Sequence, residues 1–157
     1  MNVGELYFVK DEFYNKFDNH GLIGNKGEHH GRPCCYAFKI NESDEIYWMI
    51  PISSQISKYE NLYQRSINKY GMCDNLEFGY VKGEYRAFLI QNMFPILSKY
   101  IDHVYIDENT HRPVKMARDF IAKINAKARK KYKYNFAGKK FGMSDIVSIY
   151  NELIKEM

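Results

Sequence analysis

Two short segments carry the residue types best suited to chemistry: Gly31-Arg32-Pro33, which leaves a polar stretch, and Pro51-Ile52-Ser53-Ser54-Gln55, which leaves a strand. A guanidinium presents a planar fork of donors that matches two oxygens of a phosphate, and small hydroxyls add donors of their own. Ser53 and Ser54 stand where a strand gives way to a helix, so the unpaired N–H groups of the first helical turn would point at the same anion. The cluster fits phosphate chemistry. A second reading of the serines is that one of them caps that helix. For moving protons the candidates are His29 and His30, beside Arg32, and Lys58, one turn into the helix. Histidine titrates in the useful range without adjustment, whereas Lys58 would need its pKa lowered by burial or by neighbouring cations, so His30 is preferred. The alternative for His30 is an exposed, idle loop histidine. His20, His103 and His111 have no motif around them.

The elements that must position these groups are legible from periodicity. Gly4-Glu5-Leu6-Tyr7-Phe8-Val9 is rich in β-formers and reads as a first strand. A polar stretch from Asp11 to Gly31 follows, with room for a helical turn over Glu12 to Phe17; a loop of that length suits a binding element. Pro33 to Ile40 and Glu45 to Ile50, joined by Asn41-Glu42-Ser43-Asp44, read as a hairpin whose second strand ends at Pro51. Apolar residues at Ile56, Tyr59, Tyr63, Ile67 and Tyr70 predict a helix from Gln55 to Tyr70, stopped by Gly71. Glu77 to Val81 and Glu84 to Gln91 read as a second hairpin around Lys82-Gly83, closed by Pro95, and His103 to Asp107 as an edge strand. Ala117, Phe120, Ile121, Ile124 and Ala128 predict a helix over Val114 to Tyr132, and a last helix capped by Ser144 carries Ile146, Ile149, Tyr150 and Leu153. The sum is an α+β domain: a small, strongly curved antiparallel sheet with about three helices, all in one unit over residues 1–157.

Composition bounds the partners. The apolar fraction is 45%, of which much is aromatic, so the chain is neither disordered nor, lacking any long uncharged apolar run, membrane-spanning. Met1 to Val9 lacks the pattern of a signal peptide, and the expected location is cytoplasmic. Cys34 and Cys35 are neighbours in a strand and point to opposite faces, which suits reduced thiols rather than a disulfide framework. His29, His30, Cys34 and Cys35 have no metal-site spacing, and neither a metal nor another cofactor is expected. Residues 111–140 hold eleven Lys and Arg against one Asp, while the rest of the chain holds twelve against eighteen acids. That asymmetry suggests a polyanion, with nucleic acid the commonest; a solvated helix face is the alternative.

The ordered trio GELYFV, GRPCCYAF and YWMIPISSQ resembles the barrel toxins of the MazF, Kid and CcdB superfamily, with their G-D/E-L start, R-P after a loop and P-x-T/S-T/S strand exit. Over nearly the whole chain, including IQNMFPI and the basic segment after Thr110-His111-Arg112-Pro113-Val114, the sequence is more similar to CptIN and ToxN toxins of type III toxin–antitoxin systems. The resemblance implies an SH3-like, MazF/Kid-like antiparallel β-barrel decorated with helices. It further implies a sequence-selective, metal-independent endoribonuclease that processes, and is inhibited by, a repeat-derived pseudoknotted RNA antitoxin in a multimeric complex. By motif position it places Arg32 at the scissile phosphate, with Ser53 and Ser54 as the hydroxyl pair. The pattern departs at one point: ToxN-branch relatives carry lysine directly after the loop-exit proline, and this chain has Cys34.

Metal-free cleavage uses the ribose 2′-OH as nucleophile, giving 2′,3′-cyclic phosphate and 5′-OH ends, and spares DNA. Single-stranded RNA is held by cations and by aromatic stacking. Tyr7, Tyr36, Tyr47 and Trp48 frame the expected site, although aromatic residues in strands are more often packing than platforms. Arg112, Lys115, Lys123, Lys127, Arg129, Lys130 and Lys131 are expected to follow the RNA backbone. Two other classes fit parts of the pattern: a MazF-like type II ribonuclease inhibited by a protein, and a non-catalytic barrel that binds nucleic acid or protein.

Overall fold

A computed structural model of the chain describes residues 1–24 and 31–157, so the two loop candidates His29 and His30 lie outside the described residues. The elements are β1 (Leu6–Val9), α1 (Asp11–Lys16), β2 (Pro33–Phe38), β3 (Ile46–Ser53), α2 (Ile56–Tyr70), β4 (Leu76–Val81), β5 (Glu84–Leu89), β6 (Phe94–Leu97), β7 (Ile101–Val104), α3 (Arg118–Phe136) and α4 (Ile146–Ile154). The described pairings are all antiparallel and run β4-β5-β3-β2-β1-β7, with β6 also on β3. The expected α+β class is observed.

The expected closed barrel is not. Among the described residues no ladder joins the end strands β4 and β7. Helix α3 fills this side instead: Phe120 packs edge-on against Phe88 of β5 at 4.7 Å. It also lies so close to Gly79 of β4 that a Cβ there would sit 2.7 Å from the ring. The next residue, Ile121, reaches Gly4, just ahead of β1.

β3 organises the sheet because it changes partners along its length. Ile46–Met49 pair with β6, and Ile52 and Ser53 pair with β5. Pro51 falls between these two partners, where its missing N–H breaks no ladder bond on that side. The strand therefore continues through Pro51 to Ser53, two residues beyond the sequence expectation. Pro95 likewise does not close an element: it lies within β6 opposite Trp48, in a strand whose described ladder is to β3 alone. Residues 114–116 begin no helix. Val114 donates its N–H to the Tyr105 carbonyl and accepts from Leu6, and Met116 donates to Gly4, so this stretch is held extended and α3 starts only at Arg118. At α4 the cap is Asp145, whose carboxylate accepts from the Ser148 N–H; Ser144 instead donates its hydroxyl to the Met93 carbonyl at 2.5 Å.

The core is aromatic. Trp48, Phe13, Phe17, Phe38, Phe88 and Phe94 are all fully buried, each contributing on the order of 2–3 kcal/mol relative to exposure. Phe38 and Trp48 place this core against β2 and β3 themselves.

Candidate active site

β2 and β3 bring Arg32 and Ser53 together. The ladder pairs Cys34 with Pro51, Cys35 with Ile50 and Tyr36 with Met49. Carried two residues past Cys34, that register sets Arg32 across from Ser53. The side chain agrees: Arg32 Nη1 donates to the Ile52 carbonyl at 2.9 Å, and Nε donates to the Gly24 carbonyl at 3.2 Å. Arg32 is only 9% exposed. Because a guanidinium does not lose its proton in proteins, this fixes a permanent positive charge at the exit of β3.

Ser53 is buried, and its Oγ accepts the Gln55 N–H at 3.2 Å. A hydroxyl used in this way still has its own proton to donate. Ser54 is exposed, and its carbonyl accepts from the Ile56 N–H. Neither serine caps α2 in the usual way: the Ser53 bond closes the turn before the helix, the N-cap position falls to Gln55 with no side-chain cap bond, and the first turn holds no acidic residue. The positive end of α2 is therefore left uncancelled beside Arg32 and Ser53. Lys58 is exposed on that first turn, its ammonium 5.3 Å from the Tyr59 ring centre.

Cys34, which stands where the resembled toxins carry lysine, offers no replacement cation or base. Burial pushes its thiol up to about 12, only partly opposed by Tyr14 and the Arg32 charge. Burial also raises Tyr14, whose hydroxyl lies 3.7 Å from the Cys34 sulfur. Sequence reasoning missed Tyr14, whose only signal was an aromatic ring in the one helical turn of a polar stretch.

No protein-family model matches this sequence, and no curated protein matches it either. Solved structures do. The lactococcal anti-phage endoribonuclease AbiQ, of a type III toxin–antitoxin system, superposes with a TM-score of 0.71 at 12% identity, over 99% of this chain and 100% of its own. The chain shares the AbiQ fold. A structure of a bacterial type III system, in which a non-coding RNA pseudoknot selectively inhibits the toxin, gives 0.69 at 14% identity over 99% and 98% of the two chains. A third, of a bacterial antiviral system regulated by a processed non-coding RNA, gives 0.66 at 12% over 94% and 95%.

The structure redistributes the expected nucleic-acid contacts. Trp48 is wholly buried, stacked on Phe38 and Tyr150 and met edge-on by Tyr132 and Phe136, so no face of it can receive a base. Tyr7 and Tyr36 are also buried; burial raises the Tyr7 phenol to about 12 against the Asn2 N–H, which lowers it, and burial followed by Tyr47 raises Tyr36 to about 12. Tyr7 donates to Glu5, and Tyr36 packs against Tyr47. These rings are structural.

The lysines of α3 divide into two groups. Lys127 donates to the carbonyls of Cys73 and Leu76, at 2.6 and 2.9 Å, and pairs with buried Glu77; Lys130 pairs with Asp74 at 2.6 Å. Both stitch the loop before β4 to the helix. Lys131 is fully buried, its ammonium held by the carbonyls of Phe141 and Ser144 and by Asn135, so it cannot meet a phosphate. Arg112, Lys115, Lys123 and Arg129 remain exposed, with Arg129 over the Phe38 ring. The field of the basic segment is thus partly internal stitching and partly available surface.

Proposed function

We propose that this protein is a single-domain, sequence-selective endoribonuclease toxin of a type III toxin–antitoxin system, cutting single-stranded RNA without a metal in the cytoplasm. In this reading a repeat-derived, pseudoknotted RNA antitoxin is both processed by the toxin and its inhibitor, and phage defence is the role to test first. The observation that carries the reading is the convergence of Arg32, Ser53 and the uncapped start of α2 at the exit of β3, within a fold shared with AbiQ. Kinship with the MazF/Kid-like barrels, through the R-P and P-x-S-S segments, belongs to the same proposal.

The chemistry follows from that placement. The ribose 2′-OH attacks the adjacent phosphorus in line, the 5′-oxygen leaves, and a 2′,3′-cyclic phosphate remains. Arg32, the Ser53 hydroxyl and the first-turn N–H groups of α2 stabilise the negative charge that grows on the phosphorane oxygens. Ser54 is exposed at the same corner and orients a phosphate oxygen. His30 and Lys58 are the proposed proton carriers, with Lys58 on the first turn of α2. Arg112, Lys115, Lys123 and Arg129 supply the screened, salt-dependent attraction for RNA.

The test is to incubate the protein with a mixed RNA pool in EDTA, map the ends, and repeat with Ser53→Ala, Ser54→Ala and Arg32→Ala, confirming the fold of each by circular dichroism. Discrete cuts with 2′,3′-cyclic phosphate ends, lost in folded Ser53→Ala and Arg32→Ala, are expected. A wild-type protein that binds RNA yet cuts nothing would leave the non-catalytic binding reading in its place.

A further inference from the structure

The end of α3 and the start of α4 enclose a second region with the chemistry of nucleotide recognition. A cavity of about 480 Å³ lies there, its lining including Lys139, Lys140, Phe141, Met143, Asp145 and Val147. Its wall carries the Phe141 ring, which is stacked on Tyr134, a residue outside the lining, with ring centres 5.8 Å apart. The ammoniums of Lys139 and Lys130 lie 5.2 and 5.9 Å from the Tyr134 ring centre. Its mouth is both charged and apolar, since Lys139 and Lys140 are exposed and Met143 is 66% exposed. Its floor is pre-formed. Gly142 takes a positive φ of 77°, and a Cβ there would meet the Lys131 ammonium at 2.7 Å and the Gln91 carbonyl at 2.8 Å, so the loop is pinned from inside.

Cations at the lip, an apolar and aromatic wall and an exposed carboxylate at the start of α4 match the parts of a nucleotide. Phosphates suit Lys139 and Lys140, a base face suits Phe141 and Met143, and Asp145, one of whose oxygens accepts the Ser148 N–H, has its other oxygen to accept from a base N–H donor. The cavity is also coupled to the Arg32 site. The Asp145 N–H donates to the His20 carbonyl at 2.8 Å, and Arg32 donates to Gly24 at the other end of the same segment. Fully extended, His20 to Gly24 spans at most about 14 Å. A strand a few nucleotides long can reach from one place to the other.

We propose that this cavity receives one unpaired base of an RNA whose neighbouring phosphates rest on Lys139 and Lys140, a subsite separate from the Arg32–Ser53 corner; the inference rests on the RNA-directed function proposed above. The test uses the full chain and a fluorescein-labelled, mixed-sequence 2′-O-methyl RNA 12-mer, which lacks the nucleophile and cannot be cut. Anisotropy titrations over a range of salt compare wild type with Lys139→Ala/Lys140→Ala and with Val147→Trp, which plugs the cavity while leaving every charge in place. The double variant should bind about tenfold more weakly, with a salt slope shallower by about 1.4, as two lost phosphate contacts on a single strand require. Val147→Trp, confirmed folded by its thermal midpoint, should bind several-fold more weakly with an unchanged slope, as the loss of a stacked base implies. Affinity equal to wild type in both variants overturns the inference, as does failure of the wild type to bind this RNA at low salt, which leaves the cavity to a peptide. Cleavage of unmodified RNA by the wild-type protein is scored separately. Binding that depends on the cavity in a protein that cuts nothing would retain the subsite and remove the nuclease.

Discussion

Raising the pH from about 7 to about 10 should stabilise this protein relative to Lys131→Met by up to about 3 kcal/mol. The Lys131 ammonium is wholly buried and bonded to the Phe141 carbonyl at 2.7 Å, to the Ser144 carbonyl at 3.3 Å and to Asn135 Oδ1 at 3.3 Å. Burial pushes its pKa down from 10.5 to about 8, with the Asp145 carboxylate pulling the other way. The unfolded chain keeps the ordinary lysine value, so between about pH 8 and about pH 10.4 it holds a proton that the folded state has released. Stability must rise with pH across that window, at a limiting slope of about 1.4 kcal/mol per pH unit. The three acceptors favour the ammonium, which makes about 3 kcal/mol an upper bound. Lys131→Met removes this titration at similar length, and the other lysines and tyrosines titrate alike in both proteins and cancel in the difference. Urea unfolding of both proteins over this range measures it. The difference in unfolding free energy should swing in favour of wild type as pH rises, mostly between about pH 8 and about pH 10. A difference flat to within about 0.5 kcal/mol would refute the reasoning, by showing that the carbonyl cage solvates the ammonium as well as water does.

Gly79→Ala should destabilise the protein by about 1–3 kcal/mol, since the new methyl would lie 2.7 Å from the Phe120 ring. Adding Phe120→Leu should recover part of the loss in thermal unfolding, and strictly additive effects would show that the ring is not the obstacle. Glu156 receives bonds from Lys16, Lys99 and Tyr100; burial acts to raise its pKa, but these bonds outweigh it and hold the carboxyl at about 2. Its contribution is therefore present above the unfolded value and lost as pH falls toward about 2, so Glu156→Gln should be less stable than wild type at neutral pH. Chemical denaturation down the acid range checks this; a gap that fails to narrow on acidification would assign the Glu156 effect to packing.

How far the sequence reached differs from element to element. The hairpin turn at Lys82-Gly83, the α2 stripe ending at Gly71 and the strand pair around residues 33–53 were legible because turn chemistry and apolar spacing are local. The pairing of Arg32 with the Pro-x-Ser-Ser exit was legible because the order of two strands and their approximate register suffice to place it. Other features depended on contacts between residues far apart in the chain. Val114–Met116 is extended rather than helical because β1 and Tyr105 supply its bonds, and Pro95 sits inside a strand because only one side of that strand needs a ladder. Trp48 and Lys131 show the same limit. A tryptophan beside a candidate site and a lysine in a basic run look available in one dimension, and burial, which closes both to any ligand, is a property of the packed molecule. The cavity at the α3–α4 junction is equally tertiary, because Gly142, which lines it, is pinned against Lys131 and the Gln91 carbonyl, groups with no proximity until the helices close over them. Residue type and spacing by themselves determined which chemistry this chain carries, whereas the tertiary structure decided which of its charges and rings face outward to use it.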